Sequence, residues 1–356
     1  MCQRLNQMKN PLNVLPEINF PLFLAPMVGL THLALRRTVR RYMPENTQTL
    51  FPTEMLSTKR IPAQAVGRTP ETFRDPEELD LNVQILGNEE KYVVPSLKKL
   101  EIYGARAVDL NMGCPVKQAL RHNYGVSLMG DPNYAKEIVA MAVANTKLPV
   151  SVKIRAGLTK DEDALLRFVE GLKEAGASWV CLHPRLAEQK RRGNADWSQI
   201  KNLKKNFSLP LIGNGDVQIV DDIHAMFDQT GCDGVMIGRA LTARPWLLWQ
   251  YGEDKGLPAP VAFKGQKAPR TGEEEACAYG EMLIHFMKDC QEIFEAKDAF
   301  KRVLFFVNVS HSWLNFGHPM MLQIKKQKSV AEMIPVVEQF FSKSGLSMTK
   351  TTDLRY

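Results

Sequence analysis

The chain has 356 residues, of which 44% are hydrophobic and 24% are charged, and its formal net charge is +7 at pH 7. This composition is ordinary for a globular protein that buries its own core without disulfides or metals. No run of about 18 apolar residues occurs, so no membrane span is expected. The N-terminus lacks the apolar run of a signal peptide, and the six cysteines form no Cys-x-x-Cys pair. We therefore expect a cytoplasmic, metal-free and monomeric protein, with a weak preference for a polyanionic partner.

Eight short apolar runs recur along the first two thirds of the chain, each followed by a polar or glycine-containing turn. Most are continuously apolar rather than alternating, as in parallel strands that are buried on both faces. The predicted strands are 21–27, 49–55, 81–87, 107–113, 149–155, 179–185, 209–215 and 234–240.

Amphipathic stretches with a helical period lie between these runs, at 89–103, 132–146, 161–175 and 217–229. Asp131 and Asp161 indicate helix starts, and glycines follow the predicted helix ends. Strands that alternate with helices imply right-handed β/α units, and eight units favour a closed TIM barrel. Segment 57–80 is the least regular and is predicted to be mostly loop. An open doubly wound sheet is the alternative, but no Gly-x-Gly-x-x-Gly fingerprint follows the first strand.

The last third of the chain has a different pattern. Residues 252–272 are rich in proline and glycine, which is typical of a linker. Residues 273–294, 296–313 and 330–342 have a helical period and no strand signal. The sequence thus predicts a barrel domain over 1–251, a linker over 252–272 and a small helical domain over 273–356.

Polar side chains and glycines end the predicted strands, where a parallel barrel places its active site. Lys153, inside VSVKIRAG, is costly to bury unless it meets an anion, and a cation beside an anionic flavin ring satisfies that condition. Gln84 can bond both the donor and acceptor edges of a flavin. For Lys153 the alternative is a side chain that reaches out to solvent or pairs with a carboxylate. For Gln84 it is a glutamine whose hydrogen bonds are satisfied inside the barrel. His183 is either a core histidine or a contact of flavin or phosphate.

Two glycine turns follow the seventh and eighth strands, within 212–216 (IGNGD) and 237–239 (IGR). Barrels commonly bind phosphate at this place, because glycines let backbone N–H groups approach the anion and Arg239 can add a bidentate contact. Two ordinary glycine turns are the alternative.

Cys114 follows the fourth strand, within the segment NMGCP at 111–115. The next ten residues are polar and end in glycine, which is typical of a mobile lid over a barrel mouth. A cysteine in such a loop indicates a reactive thiol. The alternative is a loop cysteine without a function.

The sequence at these positions resembles the tRNA-dihydrouridine synthases. The resemblance runs from residue 24 to about residue 247 and continues more weakly through the tail. It rests on LAPMVGLT (24–31), TEMLS (53–57), VQILG (83–87), VDLNMGCP (108–115), VSVKIRAG (150–157), His183, NADW (194–197), IGNGDV (212–217) and VMIGRA (235–240).

The resemblance implies that FMN lies over the barrel mouth and that NADPH or NADH reduces it. Cys114 would then protonate C5 of a flipped-out uridine in tRNA, and the helical tail would grip the tRNA. The residues expected to contact FMN are Pro26, Met27, Gln84, Lys153, His183, Asn214, Gly215, Asp216, Gly238 and Arg239. Those expected to hold the uracil are Asn111, Arg155 and Arg185.

The chain departs from the family pattern at a few places. His32 stands where the family usually has aspartate, and His183 is followed by Pro184-Arg185-Leu186 rather than by Gly-Arg-Thr. The lid reads HNYGVSLM at 122–129, where small residues are usual. These differences concern lid closure and the flavin contacts.

Basic clusters predict a path for RNA phosphates, although charge runs are as often plain solvated surface. The clusters are 36–37 with 40–41, 190–192, 325–328, and Lys297 with Lys301 and Arg302. Two other functions stay open: an FMN-barrel oxidoreductase of a free pyrimidine or similar small molecule, and a non-catalytic RNA-binding barrel.

Overall fold

The computed structural model describes residues 10–116, 121–190 and 192–352. In this part of the chain nine strands form one parallel sheet in the order β1-β9-β8-β7-β6-β5-β4-β2, with β3 also beside β4. The strands are β1 (Leu22–Leu24), β2 (Phe51–Pro52), β3 (Leu56–Ser57), β4 (Leu81–Leu86), β5 (Ala107–Met112), β6 (Val150–Arg155), β7 (Trp179–His183), β8 (Leu211–Asn214) and β9 (Gly234–Ile237).

The sheet curls into a barrel because its first and last strands are neighbours: β1 pairs with β9 from Leu22 opposite Val235 onward. The remaining seam, between β1 and β2, has no regular ladder. It is bridged by Phe20 N–H, which donates to Gln48 O at 3.0 Å, and by Thr49 Oγ1, which donates to Leu22 O at 2.7 Å. The predicted TIM barrel is confirmed, and the open doubly wound sheet is wrong.

The second predicted strand, 49–55, is not one strand. It is split into β2 and β3, both parallel to β4. Pro52 has no N–H to continue the ladder, and Thr53 Oγ1 instead accepts from Gln84 N at 3.3 Å. Only a 3-10 turn, Ile61–Ala63, follows before β4. The second unit therefore lacks an α-helix, as its irregular sequence predicts.

Eight α-helices accompany the barrel strands in the described residues. Asp131 and Asp161 cap two of them, accepting from Tyr134 N at 3.1 Å and Ala164 N at 2.8 Å, as predicted. The helices are α1 (Leu33–Arg40), α2 (Glu90–Tyr103), α3 (Pro132–Ala144), α4 (Glu162–Glu174), α5 (Trp197–Asn206), α6 (Val220–Thr230), α7 (Arg239–Ala243) and α8 (Leu247–Asp254).

The tail is helical, with bounds close to those predicted. It contains α9 (Gly272–Ile293), α10 (Ala296–Ser310), α11 (Gly317–Lys325) and α12 (Val330–Phe341). Helix α11 was not predicted, because its first turn carries Gly317 and Pro319. Helix α8 extends three residues into the predicted linker, of which residues 255–271 contain only the 3-10 turn Val261–Phe263. No helix of the described residues is long and apolar enough to cross a membrane.

The tail packs on the barrel through one continuous hydrophobic core. Helix α9 lies against α1, and α10 lies against α7. A buried polar cluster joins the two parts. Glu275 accepts from Trp246 Nε1 at 3.0 Å and Gln250 Nε2 at 3.1 Å, and it pairs with Arg244 at 3.1 Å. Arg244 is 1% exposed, so Glu275 neutralises a guanidinium that water does not reach.

Replacing Glu275 tests how strongly this cluster fastens the tail. Glu275→Ala leaves the Arg244 charge buried and unpaired, so we expect the free energy of unfolding to fall by about 3–5 kcal/mol. Urea unfolding measures the change. Glu281→Ala, at an exposed position of the same helix, should change stability by less than about 0.5 kcal/mol. Equal stability of the two variants would contradict a fastening role.

His32 lies in the same junction and is fully buried. Its ring meets Phe294 edge-on, at 5.1 Å between centroids, and Phe286 at 6.0 Å. Neither ring nitrogen has a hydrogen-bond partner among the described residues. Burial, together with the nearby Arg302 and Arg36 charges, lowers the pKa of His32 well below its usual value. The folded protein therefore holds a neutral imidazole.

This burial predicts acid sensitivity. The unfolded chain takes up a proton at His32 near pH 6.5 and the folded chain does not. The free energy of unfolding is therefore undiminished by His32 above about pH 6.5 and decreases as the pH falls below that value. His32→Leu should reduce the slope of unfolding free energy against pH by up to about 1.4 kcal/mol per pH unit. Urea unfolding between about pH 7.5 and pH 5 measures the slope. His318→Leu, at an exposed site, should keep the wild-type slope; identical slopes in all three proteins would contradict the assignment.

Candidate active site

The register of β4 to β7 gathers the predicted site residues in rows across the barrel. Neighbouring parallel strands place Asn111 opposite Lys153, and Arg155 opposite His183. One level deeper, Gln84 lies opposite Asp109, which lies opposite Ser151. Because registered residues of a parallel sheet face the same side, these side chains converge inside the mouth.

Asn111 shapes the turn that carries Cys114. Its Oδ1 accepts from the backbone N–H of Cys114 at 2.9 Å and of Gly113 at 3.2 Å. Its Nδ2 donates to Gln84 Oε1 at 2.8 Å. The Cys114 side chain is partly exposed at the end of β5. Asn111, predicted to hold uracil, therefore also organises the thiol loop.

A 3-10 turn, Gly125–Gly130, supports the Cys114 loop from the other side. Val126 N–H donates to Cys114 O at 3.1 Å. Gly125 has φ +58°, and a Cβ placed on it would lie 2.5 Å from Cys114 O. Only glycine fits there without moving the thiol loop. Of the predicted lid, residues 117–120 lie outside the described residues.

Sequence reasoning missed the carboxylate beneath this site. Asp109 is 5% exposed, and it accepts from Gln84 Nε2 at 2.6 Å and from Ser151 Oγ at 2.6 Å. Burial raises the pKa of Asp109, whereas these two hydrogen bonds and the Lys153 charge act in the opposite direction. A charged residue inside an otherwise apolar strand was the available signal.

Lys153 lies partly buried at the mouth. It forms no ion pair with any carboxylate of residues 10–116, 121–190 and 192–352, and its charge acts on both Asp109 and His183. The alternative of a lysine neutralised by a carboxylate is thus not what the described residues show. A half-buried cation of this kind suits an anionic ligand.

His183 is neutral and its tautomer is fixed. Burial and the surrounding charges of Lys153, Arg155, Arg185 and Arg239 lower its pKa well below the usual value. Arg185 Nη1 lies 3.0 Å from His183 Nε2. Because a guanidinium only donates, Nε2 accepts and the proton lies on Nδ1.

Arg185 and Asp216 form a pair beside this histidine. The Arg185 side chain is 3% exposed, and its Nη2 lies 2.5 Å from Asp216 Oδ1 and donates to Gly193 O at 2.7 Å. Asp216 has φ +59°, and its Oδ2 accepts from Ala195 N at 2.6 Å. The contacts with uracil and cofactor predicted for this pair stay predictions. The contacts of this pair favour a structural role, in which it orients His183 and the backbone of residues 193–195.

The glycine turns of β8 and β9 lie against the predicted flavin residues. A Cβ on Gly215 would lie 3.0 Å from the His183 ring, and one on Gly238 would lie 3.5 Å from Met27 Sδ. Asn214 Nδ2 donates to Met236 O at 2.7 Å and ties the two strands together. Polar and glycine residues thus continue round the mouth.

The remaining predicted residues complete the rim. Pro26 lines the barrel interior together with Gln84 and Asp109. Arg155 Nε donates to Gly113 O at 2.9 Å, and Arg239 opens helix α7 beside Gly238. The structure therefore brings all the predicted site residues to one end of the barrel.

The basic cluster on α1 is not a free phosphate surface. Arg36 is fully buried and pairs with Glu78 at 2.7 Å, while Arg37 pairs with Asp75 at 2.7 Å. Arg40 pairs with Asp80 at 2.6 Å. Carboxylates of the 67–80 loop thus neutralise three arginines of this cluster. Arg41 is exposed, and its contact with RNA phosphate stays a prediction. Residue 191 of the second cluster lies outside the described residues.

Comparison with known proteins decides the family. A family model described as "Dihydrouridine synthase (Dus)" matches residues 23–339. The chain belongs to the dihydrouridine synthase family. It is thus an oxidoreductase, which confirms the resemblance seen in the sequence and speaks against a non-catalytic barrel. Among the described residues no group of three His, Cys, Asp or Glu side chains forms a metal site.

Curated relatives agree over most of their length. "Probable tRNA-dihydrouridine synthase 1" of Synechocystis sp. is 33% identical over 278 residues, which cover 77% of this chain and 75% of the relative. "Probable tRNA-dihydrouridine synthase" of Aquifex aeolicus is 36% identical over 72% of this chain and 83% of its own. "tRNA-dihydrouridine synthase B" of Shewanella oneidensis is 30% identical over 70% of this chain and 78% of its own.

Substitution of Gly125 tests the close packing of this residue against the Cys114 loop. Gly125→Ala introduces both a strained φ and a clash with Cys114 O, so we expect the loop to shift and the rate of Cys114 alkylation by iodoacetamide to change several-fold. Mass spectrometry of the Cys114 peptide measures this rate. Gly130→Ala, at the other end of the same turn, meets only the end of the Leu158 side chain. It should alkylate at the wild-type rate, and equal effects of both substitutions would rule out the steric explanation.

Proposed function

We propose that this chain reduces a uridine of tRNA to 5,6-dihydrouridine at the mouth of the barrel, using FMN as cofactor and NADPH or NADH as reductant. The observation that carries the proposal is the arrangement of a partly exposed Cys114 thiol and the Lys153 cation, which has no ion pair among the described residues, at the ends of adjacent strands. It occurs in a chain of the dihydrouridine synthase family.

The hydrogen-bond donors and the cation at the mouth suit a flavin. Lys153 would face the N1 and C2 carbonyl edge, where reduction places negative charge. Gln84 Nε2 keeps one N–H beyond the one given to Asp109. His183 would donate from Nδ1, and Gly215 lets the His183 ring pack closely against the backbone after β8. Met27 and Pro26 would touch the ring face, and Arg239 with the glycine turns would receive the phosphate.

Bound FMN would supply hydride from N5 to uracil C6, and the protein must supply a proton for C5. The Cys114 thiol is the acid of this proposal, because it lies on a loop at the mouth and the Asn111 side chain fixes its backbone. Protonation at C5 relieves the negative charge that hydride addition creates at O4 and C5. His183 does not compete for this role, because its lowered pKa keeps the ring neutral and therefore a weak proton donor.

The uracil must leave the RNA fold to reach this thiol, since the site lies inside a barrel mouth. Asn111 and Arg155 border the thiol loop, and Arg155 Nη1 reaches Leu186 O at 3.3 Å. In this proposal, Asn111 and Arg155 would contact the edge of the flipped base. The tail adjoins the same mouth through Arg302, whose Nη1 donates to Glu54 Oε1 at 3.1 Å. A tRNA held by residues 273–356 would therefore lie over the site.

Cys114→Ala tests the chemistry. The variant should keep the yellow colour of bound flavin and its affinity for tRNA, but should form dihydrouridine at least 100-fold more slowly, since general acid catalysis contributes roughly 10²–10⁴-fold. Mass spectrometry of tRNA incubated with the reduced enzyme measures the product.

Cys277→Ala is the matched control, because Cys277 is exposed on α9, away from the strand ends. It should retain wild-type turnover. Near-normal dihydrouridine formation by Cys114→Ala would refute the assigned acid. A wild-type protein that stays colourless with added FMN and leaves tRNA unchanged would refute the function itself.

A further inference from the structure

The amides of Gln84 and Asn111 lie in one hydrogen-bonded chain that starts at a buried carboxylate. Ser151 Oγ donates to Asp109 Oδ1 at 2.6 Å, and Gln84 Nε2 donates to Asp109 Oδ2 at 2.6 Å. Asn111 Nδ2 donates to Gln84 Oε1 at 2.8 Å, and Cys114 N–H donates to Asn111 Oδ1 at 2.9 Å. The chain therefore connects the barrel interior to the thiol loop.

An amide can present either its oxygen or its nitrogen to a neighbour, so a chain of two amides could run in either direction. Asp109 uses both of its oxygens as acceptors, one from Ser151 Oγ and one from Gln84 Nε2. Gln84 must therefore turn its nitrogen inward and its oxygen toward Asn111. Asn111 must in turn present its nitrogen to Gln84 and its oxygen to the thiol loop. The direction of the whole chain is thus set at both ends, by the Asp109 acceptor and by the N–H groups of Gly113 and Cys114.

We propose that Asp109 is a positioning residue for the thiol loop: through Gln84 and Asn111 it holds the backbone N–H of Cys114 in place. Asp109 lies below the mouth and need not touch substrate. The turnover part of this inference rests on the proposed function, whereas the loop geometry does not.

The surroundings of Asp109 support this role over one of simple packing. Both of its oxygens are used, and the side chain is 5% exposed. A buried carboxylate is costly where an apolar residue would fill the same barrel interior. Lys153 compensates part of that cost through its charge.

Two substitutions separate orientation from charge. Asp109→Ala removes the acceptor, so Gln84 and Asn111 can rotate and the loop loosens. Asp109→Asn keeps an acceptor for Gln84, because its nitrogen can donate to Ser151 Oγ. The N–H groups of Gly113 and Cys114 at the far end also disfavour an inverted chain. The neutral variant should thus preserve the direction that the alanine variant loses.

Alkylation of Cys114 in flavin-free protein gives a readout that does not depend on activity. We expect Asp109→Ala to react roughly fivefold faster than wild type, because the loop opens more often. Asp109→Asn should react within about twofold of wild type, and Ser151→Ala, which removes one of the two carboxylate contacts, should fall between them.

With tRNA and flavin, Asp109→Ala should lose roughly 100-fold in kcat at an unchanged KM for tRNA, and Asp109→Asn should recover most of that loss.

Wild-type alkylation in a folded Asp109→Ala variant would overturn the proposal. Equal impairment of Asp109→Ala and Asp109→Asn would also overturn it, because the charge rather than the orientation would then matter. If Asp109→Ala does not fold, Ser151→Ala decides: a wild-type alkylation rate in that variant counts against the chain. Absence of dihydrouridine in the wild-type reaction would refute the proposed function, and the alkylation result would still stand.

Discussion

Two backbone N–H groups converge on Asn111 Oδ1, and the arrangement of the site depends on that contact. A strand that ends at Met112 must turn its chain out of the barrel, which frees backbone donors that a buried site cannot leave unpaired. The Asn111 side chain accepts two of them and so fixes the turn. Cys114 is placed by this turn, by Gly125 beneath it and by the row of strand ends beside it.

The missing helix of the second β/α unit explains how the tail docks. Where other units place a helix, residues 58–80 run as turns and bring Asp75, Glu78 and Asp80 against the arginines of α1. Helix α1 also packs against α9, and Arg37 pairs both with Asp75 of this segment and with Glu292 of α9. The sequence showed the arginines as a cluster and predicted an RNA surface, because their partners lie about forty residues away and a single sequence does not pair them. The irregularity of the unit was visible, but its consequence for docking was not.

Eight continuously apolar strands predict the barrel. The rim of the site follows from one rule, that a polar residue within such a strand is costly to bury unless it meets a partner or a ligand. The rule singles out Lys153 and Gln84, and the structure places both in the same mouth. Asp109 also satisfies this rule, but it lies inside its strand rather than at the strand end that faces the mouth. Other features could not be read from sequence. The fixed tautomer of His183 depends on Arg185 Nη1, and the orientation of Gln84 depends on Asp109, contacts that only three-dimensional placement specifies.

Glu54 connects the helical tail to the mouth of the barrel. Its Oε2 accepts from the N–H of Gly29, two residues after Met27, at 2.6 Å, and its Oε1 accepts from Arg302 of α10. Burial raises the pKa of Glu54, while the Gly29 N–H and Arg302 oppose that rise. Phe305, one turn further along α10, fills the space over Gly29 that a side chain would occupy. Any displacement of α10 therefore acts on the turn after β1. Because Pro26 and Met27 belong to that turn, the contacts of Glu54 and Phe305 connect the helical tail to the predicted flavin face.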